Sequence, residues 1–172
     1  MALTEKKIKL LVSLLNEMEW PLDSRIFHAL LQKVPSVPNE FAVLDDQDRM
    51  LTFYRKDHEY DGHHMPGTVL RNNETVRQAL SRLMESEVVG GLVGEIRNIG
   101  WTEIPKGNGP GENPTRHEIS LLWLARLRGP YKGKSGIFSP FDDLPANILP
   151  HHRVLAGKFR RYLETGKPIL GD

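Results

Sequence analysis

The chain has 172 residues, of which 39% are hydrophobic and 26% charged, with a formal net charge of +1 and no cysteine. That length suits one domain with a substantial core. The lack of cysteine excludes disulfides, thiolate catalysis and Cys-type zinc sites, and the small net charge leaves no global electrostatic footprint for nucleic acid.

The first segment, MALTEKKIKLLVSLLNEMEW, interrupts its apolar stretch with Lys and Glu. It lacks the continuous apolar region and small-residue cleavage site of a signal peptide, and no apolar run approaches a membrane span. The expectation is a cytoplasmic protein with neither a membrane nor a nucleic-acid partner. Leu3, Ile8, Leu11, Leu14, Leu15 and Met18 recur three and four apart, which predicts a helix over 3–18 capped by Thr4. Pro21 ends it, and LDSRIFHALLQK (22–33) reads as a second helix. The prolines at 35 and 38 make a connection. Residues 1–36 are therefore a helical extension ahead of a domain over 37–172, and their apolar faces offer a homodimer interface.

From Phe41 the period changes. FAVL (41–44) and MLTFYR (50–55) predict a β-hairpin, followed by a polar loop, KDHEYDGHHMPGT. ETVRQALSRLMESE (74–87) is a helix, with Glu74 in the first turn, where the dipole favours an anion. VVGGLVGEIRNIGWTEI supplies one or two strands, KGNGPGENPT a loop, and HEISLLWLARLR a buried strand with Trp123 in the core. A last helix runs from about Ile148 to Leu163, closed by Gly166 and Pro168, and Asp142 and Asp143 read as acidic caps at its beginning. Strands alternating with helices point to an α/β or α+β layer fold.

Two adjacent histidine pairs, His63–His64 and His151–His152, invite a zinc reading. Neighbouring side chains diverge on a strand or helix, so neither pair chelates by itself. His64 suits acid–base work by its ordinary pKa but reads equally as a loop histidine. Unlike Trp123, Trp101 and Trp20 are not assigned to the core, and Trp101, beside the Gly-rich loop, is a candidate for stacking on a base or sugar. Lys158, Arg160 and Arg161 read as a solvated helix face.

The informative stretch is HHMPGTVLRNNETVRQALSRLMESEVVG, residues 63–90. Glu74, Arg82 and Glu87 keep the spacing of the Nudix box, G-x5-E-x7-R-E-U-x-E-E-x-G-U, with Thr68 at the box glycine just after Pro66–Gly67. The chain thus resembles the Nudix hydrolase superfamily over roughly 37–165. The resemblance implies a mixed β-sheet sandwiched between helices. It also implies a Mg²⁺- or Mn²⁺-dependent attack of water on a nucleoside diphosphate linked to another group. Its chemistry needs carboxylates three and four apart on one helix face. Here those positions read Leu83, Ser86 and Glu87, and the late box glycine is Val89, with Gly90 one step on.

A similar degenerate box occurs in GDP-mannose mannosyl hydrolases, which use one metal and release GDP and free sugar. Carried over by position, Glu87 and the Gly67 carbonyl hold the metal, Arg55 contacts the diphosphate and Arg82 orients site groups. Glu118, at the start of its strand, is a candidate second ligand or a charged strand end. The stretch YKGKSGIFSPFDDL lacks the histidine base of that branch and carries Lys132 and Lys134 instead. Lysines are poor bases at their ordinary pKa of about 10.4 but can contact phosphate. A hydrolase of a nucleotide sugar is the leading expectation. Its rival is a module of the same fold that binds a nucleotide or a protein without turnover.

Overall fold

The computed structural model describes residues 3–19, 21–57, 59–87, 92–133 and 136–171. Its first elements are helices α1 (Glu5–Glu17) and α2 (Ser24–Leu31). Four strands follow, β1 (Pro38–Leu44), β2 (Met50–Lys56), β3 (Asp61–His64) and β4 (Gly67–Val69), then helix α3 (Val76–Glu87). The rest comprises β5 (Leu92–Ile104), β6 (Glu118–Arg128), β7 (Ile137–Ser139), α4 (Pro150–Thr165) and β8 (Ile169–Leu170).

The strands form one mixed sheet in the order β3-β2-β1-β6-β5-β8, with β4 added to β1 and β7 to β2. Strand β1 lies at its centre, antiparallel to β2 and β4 and parallel to β6. All seven of its residues are buried, so it carries side chains into both layers. Ala42 and Leu44 pack with Ile99, Leu122, Leu155 and Phe159 under α4. Phe41 and Val43 face the other way, onto Leu80 and Leu83 of α3. This is the expected sheet between helices, and the strand alternation builds it.

Several local expectations shift. Thr4 occupies the N-cap of α1 without a side-chain cap bond. Helix α3 starts at Val76 because Thr75 and Gln78 close a capping box: Thr75 N donates to Gln78 Oε1 (2.8 Å) and Gln78 N to Thr75 Oγ1 (3.3 Å). The polar loop after β2 contains two strands, β3 and β4, whose ladders are completed by β2 and β1. Asp142 and Asp143 lie in a turn well before α4, which begins with Pro150 at its first turn. Val88 to Gly91, Trp20 and Lys134 lie outside the described residues.

Strand β5 bulges between Asn98 and Gly100, where β8 joins it in parallel. Gly100 has φ +130°, and a Cβ there would lie 1.7 Å from the Ile169 carbonyl oxygen, so only glycine admits β8. Helix α1 buries none of its residues. Among the described residues no helix is long and apolar enough to cross a membrane. Phe159 is fully buried where α4 meets β5, β6 and β8. Phe159→Ala should therefore cost about 3–5 kcal/mol of stability, read as a lower urea midpoint at unchanged slope.

Candidate functional site

A cleft of about 570 Å³ opens where α2, the start of β1, the end of β2, the β3–β4 segment, α3 and α4 converge. It gathers Arg55, Gly67, Arg82, Glu87 and Glu118, which the sequence put forward, with Glu40, Glu59, Tyr60, Arg116, His64, His151 and His152.

Arg82 fixes one wall. Its Nε and Nη2 donate to the two oxygens of Glu74, each at 2.8 Å. Nη1 donates to Thr68 Oγ1 (3.0 Å) and Nη2 also to the Val69 carbonyl (3.2 Å). The planar guanidinium thus ties α3 to β4 and to the loop between them. The side-chain hydrogen bonds from Arg82 hold the Glu74 carboxyl down at about 2.

Two carboxylates meet beside β4. Glu40 pairs with Gly67 across β1 and β4, and a Cβ on Gly67 would stand 2.7 Å from Glu40 Oε2. The carboxylate therefore rests on bare glycine backbone. Glu40 Oε2 and Glu87 Oε2 are both buried without a hydrogen-bond partner. Burial pushes the Glu87 carboxyl up to about 7. It pushes Glu40 well above the usual carboxylate range, helped by the like charges of Glu118 and Glu87.

Opposite them, Tyr60 lies between two arginines. Arg55 stands 4.8 Å over its ring, and Arg116 Nη2 donates to the Tyr60 hydroxyl (3.0 Å). Glu59 Oε2 lies 3.8 Å from Arg55 Nη2 and 3.5 Å from Arg116 Nη2. Glu118 accepts from Arg116 Nε at 3.0 Å, and burial raises its carboxyl against that pull. So Glu118 lies inside the cleft, joined to an arginine.

Three histidines form the floor. The ring centres of His151 and His152 are 4.4 Å apart, and His64 lies 6.0 Å from His152. Burial lowers all three, His151 to about 4, so the floor is uncharged near neutrality. The adjacent pair 151–152 shares the cleft because it opens α4. Of 63 and 64, His64 lines it, while His63 contacts Tyr54.

The structure does not bring Trp101 to the cleft. It lies on β5 beside β8, packed on Gly171 and 41% exposed. Glu40 and Arg116 escaped sequence reasoning, as did the meeting of His64, an acid–base candidate in the sequence, with His151 and His152. A lone Glu inside the apolar strand PNEFAVL is the signal for Glu40. For Arg116 it is the alternation Arg116-x-Glu118 leading into β6, which puts both on one face.

Two buried carboxylate oxygens without a hydrogen-bond partner, Glu40 Oε2 against the Gly67 backbone and Glu87 Oε2 in the same cleft, fit a divalent cation that keeps several waters. Among the described residues, no group of three His, Asp or Glu could hold a metal by itself. The donor set suits Mg²⁺ or Mn²⁺ on one or two carboxylates.

No protein-family sequence profile and no curated protein matches the chain. Solved structures do match. A MutT Nudix hydrolase from Burkholderia pseudomallei aligns over 73% of this chain and 98% of its own, at 20% identity and TM-score 0.58. The chain has the Nudix hydrolase fold. The Nudix domain of Shewanella oneidensis NrtR, solved with ADP ribose, aligns over 94% of this chain and 99% of its own (13% identity, TM-score 0.59). A UDP-X diphosphatase aligns over 98% of this chain and 84% of its own (14%, 0.60). At these identities the likeness is one of fold.

The Arg82–Glu74 pair has a pH signature. Glu74 is held below its ordinary 4.5, so its stabilisation is full above that pH and is lost as pH falls through about 2. Arg82→Ala should unfold at lower temperature than the parent at pH 7. That gap should close between pH 4.5 and 2, followed by circular dichroism.

Proposed function

We propose that the protein is a metal-dependent hydrolase of a nucleoside diphosphate linked to another group, a nucleotide sugar being the favoured substrate. The observation that carries this reading is one cleft of a Nudix fold in which two partnerless carboxylates, Glu40 and Glu87, face the paired arginines Arg55 and Arg116. A diphosphate needs both partners: cationic groups for its outer oxygens and a divalent ion for its bridging region.

Glu87 and Glu40, with the Gly67 carbonyl, would hold Mg²⁺ or Mn²⁺. The bound ion supplies charge neutralisation at the diphosphate. Arg55 and Arg116 present N–H groups to phosphate oxygens, and neighbouring Glu59 and Glu118 hold Arg116 in place. Arg82 acts as a positioning residue through Glu74, Thr68 and Val69, which set α3 and hence Glu87 against β4. The uncharged His64, His151 and His152 floor adds hydrogen-bonding capacity without adding positive charge beside the cation. The named ligands of two structural neighbours, ADP ribose and UDP-X, are of the same chemical class.

One observation favours a second reading, a nucleotide-binding module without turnover: the described residues gather no three-ligand metal group. Product analysis separates the two. A panel of nucleotide sugars, dinucleoside polyphosphates and nucleoside triphosphates is incubated with and without Mg²⁺ and followed by phosphorus NMR. The expected products are a nucleoside diphosphate and free sugar, formed only with Mg²⁺. Glu87→Gln should abolish the Mg²⁺-dependent turnover, and Arg55→Ala should cut turnover on the order of 100-fold. Binding without turnover and indifferent to Mg²⁺ would establish the module instead.

A further inference from the structure

The helical extension is expected to stand apart from the rest of the chain, yet α2 forms a wall of the cleft. An eight-residue helix is too short to persist alone, and α2 buries none of its own residues. Asp23 caps it, accepting from Arg25 N at 3.0 Å. Long-range polar ties then hold it in place. His28 Nδ1 lies 2.9 Å from Glu59 Oε1, and Gln32 Nε2 donates to the Thr115 carbonyl at 2.9 Å. Lys106 Nζ donates to Gln32 Oε1 at 2.5 Å. The His28 tie ends on Glu59, the carboxylate that lies between Arg55 and Arg116. So α2 is registered to the pair of groups assigned to the phosphates.

The cleft it completes has two kinds of lining. Arg55, Arg116 and Glu87 are charged, whereas Pro21, Leu22 and Phe27 from the extension, with Pro38 and Val69, are apolar. Its volume of about 570 Å³ falls within the range of small-ligand sites. A ligand that satisfies both kinds of lining carries a diphosphate and a flat ring with apolar faces. An aromatic side chain is the natural platform for such a ring, because every base has a π-face.

Resting on the diphosphate reading above, we propose that the extension is the specificity-determining part of this site, with Phe27 as the platform on which the substrate's nucleobase stacks. His28, by its tie to Glu59, is the positioning residue that sets Phe27 at the correct distance from the phosphate-binding arginines.

Calorimetry on the full chain with Mg²⁺, using a nucleoside diphosphate and inorganic pyrophosphate as separate ligands, tests this. Pyrophosphate has the charge without the base. Phe27→Ala should weaken nucleoside diphosphate binding by roughly 10-fold and leave pyrophosphate within about twofold, with Phe27→Tyr restoring the parent value. His28→Ala should repeat that pattern more weakly. Arg55→Ala should weaken both ligands together. Equal losses for the two ligands in Phe27→Ala, or no loss in either, would overturn the assignment of Phe27. An effect seen only in the KM of a nucleotide sugar would move the contact from base to sugar and overturn it as well. Should the parent protein bind neither ligand, the diphosphate reading itself fails, and the base platform with it. A thermal melt of each variant confirms that the fold is retained, and Phe27→Leu, which keeps apolar volume without a π-face, should bind nucleotide like Phe27→Ala.

Discussion

The placement of α3 against β4 depends on one guanidinium. Arg82 reaches across from the middle of the helix and engages a side chain and a carbonyl of β4, together with both oxygens of Glu74. Four directed hydrogen bonds from a planar group leave little rotational freedom, so the helix is fixed in azimuth as well as distance. Glu87, at the C-terminal end of the same helix, inherits its position from that attachment. The apolar contacts of Leu80 and Leu83 hold α3 onto the sheet, but such packing is non-directional and would tolerate sliding. The ion pair supplies the register that the hydrophobic layer lacks.

Against this fixed wall, the cleft buries carboxyl groups. Glu40, Glu87 and Glu118 all line it, and burial raises all three. Folded proteins seldom gather buried carboxylates without a balancing partner. Arg116 balances Glu118 directly, and Glu40 and Glu87 each keep an oxygen without a hydrogen bond. Glu40 sits on β1, every residue of which is buried, where the surrounding core offsets the cost.

What could be read from the sequence follows the distance over which each feature is encoded. Glu74, Arg82 and Glu87 lie within one helix and its approach, so their spacing alone places them together. The layer architecture was legible too, because β1, β6, α3 and α4 carry strong periodic patterns. Strands β3 and β4 were hidden in a polar loop, since their ladders are completed by β2 and β1 and not by their own composition. Glu40, Arg116 and His151 come from three elements far apart in sequence, and only the parallel pairing of β1 with β6 and the docking of α4 bring them into one cleft. The helix α2 was legible, and the same non-locality hid its docking, whose ties to Glu59, Thr115 and Lys106 reach across the domain. Trp101 illustrates the converse. Its proximity to the Gly-rich loop in sequence suggested a role in the cleft, and the course of β5 carries it to the far edge of the sheet.

The way α2 is attached bears on how such a protein changes over evolutionary time. The residues that would handle the phosphates and the metal lie at the end of β2 (Arg55), just before β6 (Arg116), on β1 (Glu40) and on α3 (Glu87), all after the first two helices. The apolar wall belongs to a short peripheral helix joined by a Pro-containing connector, with Ser36 as its hydrogen-bonded junction to β6. Insertion, deletion or exchange of the segment before that junction would re-tailor the lining supplied by Pro21, Leu22 and Phe27, with the His28–Glu59 contact its link to the arginine pair. On the proposed reading, ligand preference and reaction chemistry would be inherited on different stretches of the chain, joined through that one contact.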